Sequence, residues 1–402
     1  MSYISLHTYE TANTAGKESR RITPTDGLTF LLASLSFFIQ PFYVLILATV
    51  LQVYVRIRPL FFLPIFCLSC ALCWGGRNIG VTWDGGFDDA GGYIEIFQAM
   101  KDDTILTLLY KYFATPAGHE IGYSIYVYII SLFSDNERVF LFVIYFSMLA
   151  LLGFSTVYIS RRYYLIIITL VFFGIGGFVE QAALHLFRAT LASLIMLVAI
   201  SMYDMERRRA RFLLLISCLF HTAVTPLVGF YIIITHSKYL RSNLALIIFS
   251  LLVVIALKFL GALIESILLD SSRISYINID NAVATEVVTL FAIMVMYVFS
   301  NRVESGGIFK FSFFATSLLF FFYLLLPQYA FIAGRYLYMI QIFTSLLLFK
   351  TVLKIKFKLI ICSILVLLFM RKMMALNSSE FISGAFDNFG SVFSAPFFVL
   401  IN

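Results

Sequence analysis

VFLFVIYFSMLALLGFSTVYIS, residues 139–160, is the stretch whose reading decides the fold. It carries no charge, and a hydrocarbon layer of ~30 Å needs about 20 residues of helix to cross it. No water is available inside that layer, so the run must satisfy its own backbone polar groups and is helical. A barrel strand would be shorter and would alternate in polarity. Working outward, similar runs recur at 27–55, 59–75, 163–178, 186–204, 244–269, 287–300, 311–333, 336–350 and 359–376. The composition agrees: 61% of the 402 residues are hydrophobic and 13% are charged, against about 25% charged in globular proteins. A soluble domain cannot hide that much apolar surface. The expected fold is all-α, a polytopic integral membrane bundle of about ten to twelve transmembrane helices. One domain spans 27–376, between a polar N-terminal tail (1–26) and a C-terminal tail (377–402). The first tail has no apolar h-region, so no cleavable signal peptide is expected.

Two segments are awkward. Residues 121–133 are too short to span, and His221 and Pro226 interrupt 212–235. Basic residues set orientation. Their clusters are Arg56/Arg58, Arg161/Arg162, Arg207–Arg211, Lys238/Arg241, Arg302/Lys310 and Lys350–Lys358. All face the cytoplasm together only if both awkward segments are re-entrant or interfacial, as broken backbone lining a cavity allows. The tail residues Lys17, Arg20 and Arg21 join that side only if Gln40-Pro41 breaks 27–55 into a hairpin. The outer side then holds 76–120, 179–187, 270–286, a turn at 327–335 and the C-terminal tail. The large loop 76–120 carries interfacial helices near 92–100 and 104–113.

Ionisable residues in or beside spans are functional candidates by default. The densest set lies in the large loop: Arg77, Asp84, Asp88, Asp89, Tyr93, Glu95, His119 and Glu120, with glycines among the acids. A solvated loop with turn residues is the bland alternative. Next comes Glu180-Gln181-Ala-Ala-Leu-His185-Leu-Phe-Arg188. In a helix it places Gln181, His185 and Arg188 on one face at i, i+4 and i+7. At the outer mouth of its span, Arg188 suits an anionic phosphate; an arginine snorkelling to headgroups is the alternative. His221, beside Thr222, Thr225 and Pro226, marks a broken, polar-lined helix, or else a packed histidine. Arg335-Tyr336 reads as a turn between spans, suited to a phosphate or sugar or simply anchored by aromatics.

Cys67, Cys70 and Cys73 recur at i+3 inside an apolar span with no fourth ligand nearby, so they read as packing residues and not as a zinc site. The five cysteines imply no disulfide framework. No P-loop, dinucleotide fingerprint or HExxH is present. The net charge of +7 follows from basic cytoplasmic loops and needs no nucleic acid as partner.

Taken in order, these elements resemble Wzy/EpsG-type polymerases of bacterial surface polysaccharide. The resemblance rests on Arg77 with Asp84 or Asp88 and Tyr93, Glu120-Ile-Gly122-Tyr123, Leu186-Phe187-Arg188-Ala-Thr-Leu-Ala192, Leu219-Phe220-His221-Thr-Ala and Arg335-Tyr336. It covers about 75–340. Arg77 is followed by a longer acidic insert than usual, and Arg188 by Ala where Gln is common. The resemblance implies transfer of a growing glycan from undecaprenyl diphosphate onto the next lipid-linked repeat unit, at the periplasmic face of the inner membrane. It also implies no metal or other cofactor, and a chain-length regulator and a flippase as partners beside the membrane lipids. Arg188, His221, Asp88 and Glu120 become the catalytic candidates. Arg77, Asp84, Asp89, Tyr93, His185, Arg335 and Tyr336 become the diphosphate- or sugar-binding ones.

Rival readings are another transferase or ligase using lipid-linked sugars, with Asp88-Asp89 as base or metal ligand, and a flippase or transporter. Transport favours ionisable residues deep in several spans and repeat symmetry. Here the candidates gather at outer span ends, and no repeat is visible.

Overall fold

The computed structural model describes residues 23–83, 86–100, 104, 106–107, 110, 120–174, 178–268, 282–300, 306–326, 330–386 and 396. The architecture is an all-α bundle. Its β structure among the described residues is one small antiparallel ladder, Thr82–Trp83 (β1) with Gly86–Phe87 (β2), in the register Thr82↔Phe87 and Trp83↔Gly86. By length and composition, Glu137–Ile159, Gly307–Leu325 and Lys358–Asn377 are each long and apolar enough to cross a membrane, and shorter apolar helices surround them.

The stretch 27–55 is a hairpin. Proline cannot donate to a helix ladder and clashes with the preceding turn, so Pro41 starts a new helix, with Gln40 Oε1 accepting from Phe42 N at 2.5 Å. The two legs are α1 (Pro24–Leu35) and α2 (Pro41–Gln52). α1 lies parallel to α3 (Pro59–Gly75): Asp26 pairs with Arg58 at 2.8 Å, and Ser36 bonds Ser69 further along. α2 returns beside α7 (Tyr164–Phe173), in the opposite direction. Phe42 packs on Phe173 at 5.3 Å, Thr49 bonds Thr169 at 2.7 Å, and Gln52 accepts from Leu165 N at 3.1 Å. Thr23, at the start of α1, therefore lies at the end that carries Arg56 and Arg58.

Between these come α4 (Ala90–Ala99), α5 (Ile121–Ser131) and α6 (Glu137–Ile159). α6 runs antiparallel to α3, with Phe142 against Gly75 and Gly153 against Leu63. The turn at 132–136 folds α5 back along α6, where the Tyr126 hydroxyl donates to Ser147 at 2.8 Å. α5 is thus a short element beside a span and not a crossing. α4 matches the first expected interfacial helix. The second, near 104–113, lies mostly outside the described residues.

Downstream, α8 (Phe187–Met202) starts beside Tyr145 of α6, ring to ring at 5.6 Å, and descends parallel to α6. α9 (Arg207–Phe220) rises from the basic Arg207–Arg211 cluster, the chain turns through Thr222–Val224, and α10 (Thr225–His236) comes back down. Tyr203 at the foot of α8 touches both Tyr231 and His236. Segment 212–235 therefore leaves by the end it entered, with His221 at the apex. α11 (Asn243–Leu268), α12 (Ala282–Ser300), α13 (Gly307–Leu325), α14 (Ala330–Val352) and α15 (Lys358–Asn377) complete the bundle, and α16 (Glu380–Ala385) caps it. Small polar pairs such as Thr316–Thr344 at 3.1 Å join neighbours, as is common where helices meet away from water.

This alternation gathers the described basic clusters at one end: Arg56/Arg58, Arg161/Arg162, Arg207–Arg211, Lys238/Arg241, Lys310 and Lys350–Lys358. Lys358 lies over Tyr54 at 5.3 Å and Lys350 over Phe309 at 4.9 Å. The loop after α3 and the cap α16 lie at the other.

Candidate active site

Two polar clusters occupy the end opposite those basic groups. The first is built around Arg77, two residues beyond α3. Its Nη1 and Nη2 donate to Asp88 at 2.7 and 3.1 Å in a two-pronged pair. Its Nε donates to the Tyr145 hydroxyl at 2.9 Å, and Nη2 also reaches Leu184 O at 3.0 Å. The ring of Phe381, from α16, faces the guanidinium at 5.6 Å. Both side chains of the pair are 0% exposed. A buried charge is tolerated only when paired and hydrogen-bonded, and here both conditions hold. Burial opposes ionisation of Asp88. The hydrogen bonds from His185 and Arg77 and the arginine's charge outweigh it and hold the carboxyl well below the usual range. The same burial works against the guanidinium, and Tyr145 and Asp88 overcome it, raising Arg77 further.

The second cluster joins three distant segments. Glu120, preceding α5, accepts from Arg188 Nη1 through Oε2, and its Oε1 lies 2.6 Å from His221 Nδ1. Arg188 opens α8 and lies over the Tyr93 ring at 5.6 Å. Tyr93 in turn stacks on Phe187 at 4.9 Å and meets Tyr123 edge-on at 5.7 Å. Unlike the first cluster, this one reaches an open surface: the side chains of Arg188, His221 and Glu120 are 26%, 21% and 10% exposed. Burial raises the Glu120 carboxyl, but the hydrogen bond from His221 and the charge of Arg188 bring it below its ordinary value. For Tyr93, burial dominates and raises the phenol.

Local sequence explains the meeting. α9 ends at His221, whose backbone is extended (φ −158°, ψ 117°), so its imidazole leaves the helix and turns toward α5. Gly122 permits the contact: a Cβ there would lie 2.9 Å from the Leu219 carbonyl carbon and from a ring carbon of Phe220. Only a residue with no side chain lets α5 come so close to the backbone of α9. The cluster is also sunk. Phe187, beside Arg188, packs against Tyr145, eight residues into α6, or about 12 Å below that helix's outer end at 1.5 Å per residue.

The sequence candidates divide accordingly. Glu120, Arg188, His221 and Tyr93 come together, while Arg77, Asp88 and His185 form the sealed cluster. His185 Nδ1 sits 3.4 Å from Asp88 and its ring packs on Phe381 at 4.1 Å. The expected single face of Gln181, His185 and Arg188 does not form. Residues 178–183 make a π-helical turn, Leu186 leaves helical geometry (φ −103°, ψ 58°), and α8 starts afresh at Phe187. Asp89 precedes α4 and is half-buried. Arg335 and Tyr336 lie within α14 and not in a turn, since no proline interrupts the sequence from Ala330 to Val352; their side chains, with Asp84 and His119, are outside the described set.

Sequence reasoning missed Tyr145, hidden in an apolar run, and Phe381, in what reads as a tail. Among the described residues, no group of three or more His, Cys, Asp or Glu side chains could hold a metal ion. Cys67, Cys70 and Cys73 are buried free thiols.

No curated protein and no solved structure matches the chain. The description of the EpsG family matches residues 60–386, which contain both clusters and every helix from α4 to α16. The chain belongs to the EpsG family.

Proposed function

We propose that this protein lengthens a surface polysaccharide by moving a growing glycan from undecaprenyl diphosphate to the sugar end of the next lipid-linked repeat unit. Membership of the EpsG family supports polysaccharide polymerisation in general. The observation that carries the finer reading is the meeting of Glu120, Arg188 and His221 in a partly open recess opposite the basic end. Basic ends face the cytoplasm, so the recess faces the periplasm, where lipid-linked repeats are joined.

The roles follow from the donor sets. An acceptor hydroxyl attacks the anomeric carbon of the donor glycan. A new glycosidic bond forms, the bond from that carbon to the phosphate oxygen breaks, and its electron pair leaves with the lipid diphosphate. Arg188 carries the planar fork that suits phosphate oxygens and meets the charge as it develops. His221 takes the hydroxyl proton. Its Nδ1 is committed to Glu120, so Nε2 is the accepting atom, and the carboxylate fixes the tautomer and steadies the imidazolium. Tyr93 floors the recess beneath Arg188. Asp84, Asp89, Arg335 and Tyr336 are proposed as sugar or diphosphate contacts, and a chain-length regulator and a flippase as pathway partners.

A deletion strain tests the reading. Loss of long polysaccharide with a single repeat unit kept on the surface supports it. Loss of that single unit as well overturns it in favour of a flippase or an earlier transferase.

A further inference from the structure

The Arg77–Asp88 pair is fully buried, yet its cluster sits one step from the recess along two chain segments. Arg77 touches Asp88, one residue before Asp89 and α4, and five residues later α4 delivers Tyr93 to Arg188. The same guanidinium holds Leu184 O, four residues before Arg188 itself. A third bond fixes it to Tyr145 of α6, against whose ring Phe187 packs. One side chain thereby sets the relative position of the two segments that must meet at Arg188. The π-helical turn at 178–183 and the non-helical Leu186 give the head of α8 no continuous helix to hold it from behind, so the tie at Leu184 matters more than it would inside a regular helix.

A cover keeps this tie dry. α16 lays Phe381 across both Arg77 and His185, while Asn78 N donates to Ala385 O at 2.8 Å and Asn78 Nδ2 to Gly384 O at 3.2 Å. The segment after the last long helix is thus built into the sealed cluster, with Phe381, Ile382 and Ala385 buried.

We propose that Arg77 is a positioning residue for the transfer, acting through Arg188: with Asp88 beneath it and α16 over it, it holds Tyr93 and the head of α8 in register. The proposal rests on the polymerase reading, and its test separates the two. Full-length protein, reconstituted in vesicles, is assayed with lipid-linked repeat units extracted from its host. Arg77→Lys keeps the charge and loses the fork. It is expected to lower kcat tenfold or more with KM within twofold, yet to cost less than twofold in an Arg188→Lys background, because neighbours acting through one group are not additive. Equal losses in both backgrounds overturn the proposal, as does a rise in KM alone, which would put Arg77 on the substrate. Tyr145→Phe, which removes one anchor, is expected to show the same pattern more weakly and serves if Arg77→Lys is poorly recovered.

A second measurement does not depend on turnover. In Arg77→Lys or Tyr145→Phe, amide hydrogen exchange is expected to quicken tenfold at 90–99 and 184–190 and to stay unchanged at 243–259. Unchanged or uniformly faster exchange overturns the proposal. Native protein that makes no polymer, while the two variants still show the expected exchange pattern, overturns the polymerase reading and leaves the positioning intact.

Discussion

Glu120 and His221 are 101 residues apart in sequence, and Oε1 of one lies 2.6 Å from Nδ1 of the other. Neither residue sits in a regular helix. Glu120 precedes α5, and His221 follows the last turn of α9. A contact made by two chain breaks has to be held by what packs behind it, and that makes it easy to test.

If His221 accepts the acceptor proton, His221→Ala should lower polymerisation by about a hundredfold or more, the usual span for general-base loss. Glu120→Gln should fall in the same direction and by less, since it keeps a hydrogen-bond partner for the ring. Protein levels in membranes should match those of the native chain. Glycan length on gels and turnover in vesicles check both; full activity in His221→Ala would remove that residue from the chemistry.

Gly122→Ala should damage the site without touching a charged group. The added Cβ meets backbone of Leu219 at 2.9 Å, which cannot yield as a side-chain tip would, so α5 must shift from α9. The expected cost is about 1–3 kcal/mol of stability, as for other overpacking, with a loss of activity far larger than that implies. Melting temperature and turnover measured on one preparation decide it; a normal rate would show that the two helices can part without consequence.

Asp88→Asn should destabilise the protein by about 3–5 kcal/mol at neutral pH, because it leaves Arg77 buried beside a neutral partner. The folded-state value of Asp88 is held below its unfolded one. Its contribution is therefore complete above about pH 3.9 and fades as the pH drops further toward the folded-state value. The melting-temperature gap between native chain and variant should be wide at pH 7 and narrow below about pH 4. A gap that stays constant through that range would contradict the pairing.

The N-terminal hairpin makes a claim about sidedness. A reporter attached at Thr23 should report the same face of the membrane as one inserted at 353–357, since the Asp26–Arg58 pair and the Lys358–Tyr54 contact lie at one end. A reporter beside Asn78 should report the opposite face. Opposite signals from the first two would mean that α1 and α2 do not fold back on each other.

Most of the bundle is readable from hydropathy because each long run is fenced by prolines, arginines or lysines: α3 begins at Pro59 and α15 follows the Lys350–Lys358 group. Pro41 signals a break, but whether the two legs run on or turn back depends on Asp26 meeting Arg58 and Ser36 meeting Ser69. Such contacts reach across 30 or so residues and leave no local pattern. Within the site, Glu120, Arg188 and His221 stand out as ionisable residues in apolar surroundings, and the structure brings the three together. The pairing of Arg77 does not stand out. Asp84, Asp88 and Asp89 all follow it closely, and Tyr145, buried in another run, helps hold the arginine that takes Asp88. The face predicted for His185 and Arg188 failed for a different reason: the chain leaves helical geometry at Leu186, between the two residues, so they point to different clusters.

The α9–α10 hairpin acts as a ruler. It stands on the basic end and lifts His221 by the length of fourteen helical residues, about 21 Å, to a level that Arg188 and Glu120 reach from the other side. The height of His221 above the basic end is therefore a property of helix length. A change of one turn in α9 would move it by about 5.4 Å while its partners stayed where they are.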